Sequence, residues 1–170
     1  DITTGGYNFF GGYQAGYNHT TGTNNFFGGI QAGYFNTSGG SNTFVGSYSG
    51  MLNTTANGNS AFGREALQNN QTGASNVAVG YQSLLGPSGG SSHSGNTAIG
   101  YQAGYSVTDG SNNFFGGISA GFNIAGGNRN VFAGYYAGYN TTSSGDNVFT
   151  GSQAGYSNTT GGYNIFSGQK

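Results

Sequence analysis

An asparagine followed four residues later by a glycine returns every 17 residues. The asparagines are Asn8, Asn25, Asn42, Asn59, Asn76, Asn96, Asn113, Asn130, Asn147 and Asn164. One step is longer: Asn76 to Asn96 spans 20 residues, and the extra three fall within residues 86–93, which hold the only proline, Pro87. An array that keeps phase across an insertion is built of equivalent coils, one of which carries a bulging loop. A 17-residue unit is too short for a helical hairpin repeat or a propeller blade. It fits one turn of an all-β parallel β-solenoid (a β-roll) of ten coils. Each coil is expected to hold two short strands and two turns, stacked about 4.8 Å from the next. The whole chain, 1–170, then reads as one array, a rod on the order of 45 Å long.

Positions within a coil are numbered here as slots, with the asparagine as slot 0. Slot 4 is glycine in every coil, which permits positive φ at a corner. Slot 7 is never larger than Ala or Ser, from Ala15 and Ala32 to Ala154, and marks a tight inner corner. Slot 14 is mostly glycine, as in Gly22, Gly39 and Gly73, with Gly90 in the coil that carries the insertion. The ten slot-0 asparagines are expected to stack as a ladder, amide to amide, between neighbouring coils.

Slots 1 to 3 alternate across a strand, so slot 2 points one way and its neighbours the other. Both faces are apolar. Slot 2 is Phe or Ala. Slots 1 and 3 trade bulk, as in Phe26 with Gly28, Thr97 with Ile99 and Val77 with Val79. Roughly constant bulk is what a packed layer requires. A strand that is apolar on both sides is usually covered on both, and a 17-residue coil has little chain left to cover its outside. The expected cover is another copy of the chain. The expected self-association face comprises Phe9, Phe10, Phe26, Phe27, Phe44, Phe114, Phe115, Phe132, Phe149 and Phe166.

Segments such as Asn76-Val77-Ala78-Val79-Gly80 and Asn96-Thr97-Ala98-Ile99-Gly100 resemble the head repeat of YadA-like trimeric autotransporter adhesins. The longer unit, as in residues 96–110, resembles repeats of bacterial surface proteins and phage tail fibres. The resemblance runs through every coil and implies a trimeric or filamentous assembly with an extracellular or cell-surface, fibrous or adhesive role. Two features depart from the YadA pattern: its repeat is shorter than 17, and most strands here carry Phe where it has Ala.

Composition narrows the other readings. Three Lys and Arg among 170 residues, at a net charge of −1, cannot build a basic patch for nucleic acid. The chain has no cysteine for a disulfide or thiolate site and no apolar run long enough to span a membrane as a helix. It does not begin with Met and reads as a segment of a longer chain. Asp1, Glu65, Asp109 and Asp146 are too scattered for a metal site, and no cofactor is expected. Gly117-Ile118-Ser119-Ala120-Gly121 matches a G-x-S-x-G nucleophile elbow, but the same slots read Gly-Tyr-Gln-Ala-Gly in other coils, so the glycines belong to the coil and no enzyme is expected. Candidate N-glycosylation sequons stand at Asn18, Asn36, Asn53, Asn70, Asn140 and Asn158, with O-glycan candidates at neighbouring threonines such as Thr20, Thr37, Thr54 and Thr55. The leading reading is a structural, self-associating segment of an extracellular bacterial fibre or adhesin. Two alternatives stay open: a head module that binds glycans or a surface through Tyr and Gln rows, and an ice-binding solenoid with a threonine face.

Overall fold

A computed structural model describes residues 4–169. Ten three-residue strands run through them: β1 (Phe9–Gly11), β2 (Phe26–Gly28), β3 (Thr43–Val45), β4 (Ser60–Phe62), β5 (Val77–Val79), β6 (Thr97–Ile99), β7 (Phe114–Gly116), β8 (Val131–Ala133), β9 (Val148–Thr150) and β10 (Ile165–Ser167). They form one parallel sheet in chain order. Each strand pairs with its successor in unbroken register, so Phe9 lies against Phe26 and Phe26 against Thr43. The fold is a β-solenoid with a spacing of 17 residues, and coil numbers below follow the strands.

Each coil has one strand, not two. The opposite wall is a run of overlapping turns. In coil 2 the Ala32 N–H donates to the Gly29 carbonyl (3.3 Å), Tyr34 to Gln31 (3.3 Å) and Asn36 to Gly33 (3.0 Å). Slots 4, 6 and 8 all have positive φ: 143° at Gly29, 52° at Gln31 and 59° at Gly33. A left-handed residue at every second position cannot extend into a strand. It gives successive turns with the φ sign of type II at their third residue. Alternate N–H groups on this wall reach the neighbouring coils, as Gly33 to Ser49 (3.0 Å) and Gln31 back to Tyr13 (2.8 Å). The wall is therefore tied to the coils on either side without strand geometry.

Glycine is required at slot 4 for two reasons. Its φ lies in a region L side chains rarely adopt, and a Cβ on Gly29 would stand 2.5 Å from the Gly46 carbonyl oxygen of the next coil. Slot 8 meets the core instead: a Cβ on Gly33 would stand 2.6 Å from the Phe27 ring. Phe27, Phe44, Phe115, Phe132 and Phe149 are fully buried beside the slot-7 alanines. Their rings stack along the axis, at 5.0 Å between Phe27 and Phe44 and 4.8 Å between Phe132 and Phe149. Burial of each ring contributes about 1.5–3 kcal/mol, and each parallel ring pair adds roughly 0.5–1.5 kcal/mol.

The slot-0 asparagines weld the corner between turn and strand. The Asn113 amide donates to Asn96 Oδ1 (3.0 Å) and to the Gly127 carbonyl (2.7 Å). Its own Oδ1 accepts from the Asn130 backbone (2.9 Å) and side chain (3.0 Å). This pattern repeats with minor changes from Asn8 to Asn164. A buried amide with both ends occupied avoids the desolvation cost of an orphaned polar group, about 1–3 kcal/mol.

The insertion occupies the stretch before Ser91. The Gly90 N–H closes on the Pro87 carbonyl (3.0 Å), and the ladder resumes where the Gln71 N–H donates to the Ser91 carbonyl (2.8 Å). In this coil the Asn76 amide donates to the His93 carbonyl (2.8 Å), as Asn59 does to Gly73. His93, rather than Gly90, thus holds slot 14. Its imidazole is completely buried, with Nδ1 3.4 Å from Asn76 Oδ1 and Nε2 without a hydrogen-bond partner.

Candidate interaction surface

Three outward features could engage a partner. The first is the outer face of the sheet, built by slots 1, 3 and 5. Phe9, Phe26, Phe114, Val77, Val131 and Val148 stand out from slot 1, all at least one-third exposed. Phe62, Val79 and Ile99 stand out from slot 3, and Tyr13, Ile30, Tyr101, Ile118 and Tyr135 from slot 5. Where slot 1 is Phe and slot 3 is Gly, the ring lies over its own glycine: a Cβ on Gly11 would meet the Phe9 ring at 2.9 Å, and one on Gly116 the Phe114 ring at 2.9 Å. Phe9 and Phe26 also stack at 4.8 Å. Arg64, in slot 5, bonds the neighbouring Glu65 at 2.8 Å.

This placement corrects the expected self-association face. Phe9, Phe26 and Phe114 point outward. Phe27, Phe44, Phe115, Phe132 and Phe149 occupy slot 2 and fill the interior, fully buried. Phe10 packs against that core, and Phe166 sits in the same column in the last coil, 42% exposed because no further coil covers it here. The doubled Phe therefore divides between the two sides of the sheet, and the outward face owes much of its apolar area to Val, Ile and Tyr.

The second feature is a row of stacked rings at slot 9. Tyr105, Phe122, Tyr139 and Tyr156 stack at 4.7, 5.1 and 5.3 Å, and Tyr17 stacks on Tyr34 at 5.2 Å. Stacking along the axis covers the ring faces and leaves edges outward, which removes the flat surface a sugar would pack on. Tyr81 and Tyr101 stack in the same way at 5.5 Å. Beside this row, hydrogen bonding to Tyr136 raises the pKa of Tyr135, and burial raises that of Tyr139. The slot-6 glutamines form their own ladder, with Gln31 Nε2 donating to Gln14 (2.7 Å) and Gln102 to Gln82 (2.8 Å).

The third feature is the turn after slot 9. Asn36, Asn53 and Asn70 lie in slot 11 and point inward, fully buried. They form a second ladder: Asn53 Nδ2 donates to Asn36 Oδ1 (3.1 Å) and Asn70 Nδ2 to the Gly73 carbonyl (2.6 Å). Their amides are sealed from solvent in the folded rod, which corrects the expectation of glycan sites at these three. Asn18 and Asn140, one slot earlier, are half-buried, as is Asn158 in the penultimate coil. The Oγ1 atoms of Thr20, Thr37, Thr54 and Thr142 donate to carbonyls of the following coil at 2.9–3.1 Å. Those hydroxyls brace the turn. Slot 13, with Thr21, Ser38, Thr55 and Thr72, carries the exposed hydroxyls.

Ser119, the centre of the G-x-S-x-G match, is a slot-6 turn residue with φ of 51° and is 4% exposed. Among the described residues, no three His, Asp or Glu gather as a metal site; Asp1 lies outside them. Arg129 and Asp146 make a two-pronged surface pair (2.7 and 2.8 Å), which lowers the Asp146 pKa. No family of known proteins matches the chain, and no curated protein or solved structure shows significant similarity to it.

Proposed function

We propose that this chain is a structural, self-associating segment of an extracellular bacterial fibre or adhesin. The observation that carries this reading is the outer sheet face: it exposes large apolar side chains in every coil but the third, where Thr43, Val45 and Ser47 stand half-buried, and it bears one charged side chain, Arg64, at its rim. Contiguous apolar patches of this extent on a soluble monomer mark an interaction site. The rest of the coil is devoted to holding its neighbours, through the Asn, Gln and backbone ladders. The resemblance of the repeat to bacterial surface proteins supports the extracellular location. An image of the native assembly tests the reading. Rods joined along this face into a filament or a multi-chain head are expected; isolated single rods on the native particle would refute it.

A surface-binding head is the second reading, favoured by Tyr13, which stands 70% exposed on the slot-5 row. Binding of the purified chain to a glycan array, lost in Tyr13→Ala, is the outcome that would support it.

A further inference from the structure

We propose that the outer sheet face joins two copies of this chain about a two-fold axis parallel to the rod, each coil facing its own equivalent. This rests on the self-association reading and adds the number of copies, their direction and their register.

A solvated surface places no limit on side-chain volume, yet slots 1 and 3 trade bulk coil by coil: Phe9 with Gly11, Ser60 with Phe62, Thr97 with Ile99. The Phe9 and Phe114 rings lean onto their own glycines, so the coils present a layer of even depth. Conserved layer volume is a signature of packing. Whatever covers such a layer must be straight and match a rise of about 4.8 Å over the whole rod. A second copy has that repeat by construction. Ten coils at about 4.8 Å by a strip about 13 Å wide give roughly 600 Å² of flat footprint per copy. The pair would remove about 1,200 Å² from water, within the range of specific interfaces.

Direction follows from size. A two-fold axis along the rod sets slot 1 of each copy against slot 3 of the other within the same coil, so the bulk traded inside a coil is matched across the contact: Phe9 meets Gly11, Ser60 meets Phe62 and Thr97 meets Ile99. A two-fold axis across the rod would set Phe9 against Ile165 and Gly11 against Ser167. That meets large with large at the ends of the rod, where Phe26 likewise falls against Val148.

The mass of the folded chain in solution tests the pair. A particle of twice 17.2 kDa is expected. Val79→Glu, and independently Thr97→Lys, should weaken it at least ~100-fold, since each buries charge at the contact. Both sites are on the outer face, so the circular dichroism spectrum should not change. A trimer, or a filament indifferent to both substitutions, overturns the pair and leaves the structural reading standing. A folded 17.2 kDa monomer at every concentration overturns both. Direction is read from spin labels on Ser47→Cys and Ser152→Cys, in slot 5 of coils 3 and 9 of a chain with no native cysteine. Equal separations of about 20 Å are expected at the two positions. Unequal ones, with the Ser152 pair beyond ~30 Å, overturn the arrangement.

Discussion

Coils 2 and 3 and coils 4 and 5 enclose the same interior by opposite means. In the first pair the strand supplies the bulk, as Phe27 and Phe44, and the turn wall yields, as Gly33 and Gly50. In the second pair the strand carries Ala61 and Ala78, and the turn wall supplies Leu67 and Leu84, all fully buried. The two leucines hold φ of 56° and 47°, a left-handed conformation that costs roughly 1–2 kcal/mol each. Coil 6 has neither large residue. A Cβ on Gly104 would meet Leu84 Cδ2 at 2.8 Å and the Phe115 ring at 2.7 Å, so the neighbours lean in from both sides. The Phe115 ring accordingly tilts by 48° against Phe132, where other pairs are near parallel. The repeat conserves the volume enclosed, and either wall can furnish it.

The largest expected effect breaks this exchange. Phe27→Ala should lower the free energy of unfolding in denaturant by about 3–5 kcal/mol, because the stacked neighbours Phe10 and Phe44 leave a cavity between them. Adding Gly33→Leu converts coil 2 to the coil 4 pattern and should recover a substantial part. The reverse experiment sharpens the comparison. Ala61→Phe alone should cost up to about 3 kcal/mol by overpacking, and Leu67→Gly added to it should restore stability. If neither second substitution helps, the two kinds of coil are not interchangeable.

Coil 5 differs from all others in its insertion, and His93 makes that difference readable by pH. Burial lowers the His93 pKa to about 4 against 6.5 unfolded, outweighing the raising effect of the Leu84 and His93 backbone groups. The fold therefore holds the neutral ring, and between the two values the unfolded chain binds the extra proton. The contribution is fully present above pH 6.5, declines as pH falls, and is spent near pH 4. The loss by then amounts to up to about 3 kcal/mol. His93→Leu should flatten that stretch of the stability profile. A chain whose stability holds constant from pH 6.5 to 4 would mean that the ring is reached by solvent.

The solenoid, its period, its single insertion and its ladder asparagines were legible because each repeats ten times and survives substitution elsewhere. The turn wall was misread as a second strand. The signal for it was present: slots 6 to 8 contain no β-branched residue in any coil, as left-handed φ demands. The Leu67 and Leu84 exchange was legible too, in the pairing of Ala at slot 2 with Leu at slot 8, but only when two distant columns are compared. The six sequons divided by parity. Asn18 and Asn140 in slot 10 are half-buried, Asn36, Asn53 and Asn70 in slot 11 face in, and Asn158, also in slot 11, is half-buried in the penultimate coil; Val107 and Ile124 in slot 11 mark that column as interior. The ring directions at slot 9 had no sequence signal, since stacking along the axis depends on rotamers that the column of Tyr and Phe does not specify.

That inward column gives the smallest expected effect and a final contrast, between two ladders in the same coils. Asn59→Val in slot 0 removes the acceptor for the Asn76 backbone and side chain (2.9 and 3.0 Å) and the donor to the Gly73 carbonyl (2.9 Å). The Gly73 carbonyl keeps Asn70 Nδ2 (2.6 Å) and the Asn76 amide keeps the His93 carbonyl (2.8 Å), but the Asn76 backbone N–H is left unpaired in the interior, which should cost roughly 1–3 kcal/mol. Asn53→Val in slot 11 trades one orphan for another. Asn53 Oδ1 already lacks a partner, and its removal leaves Asn36 Oδ1 without the 3.1 Å donor it had. The Ala56 carbonyl keeps its bond from Asn42 Nδ2 at 2.8 Å. The other half of the rod accepts Val107 and Ile124 at this slot. The expected change in unfolding free energy is therefore within about 1 kcal/mol, and a loss as large as that of Asn59→Val would show that the second ladder holds the coils as firmly as the first.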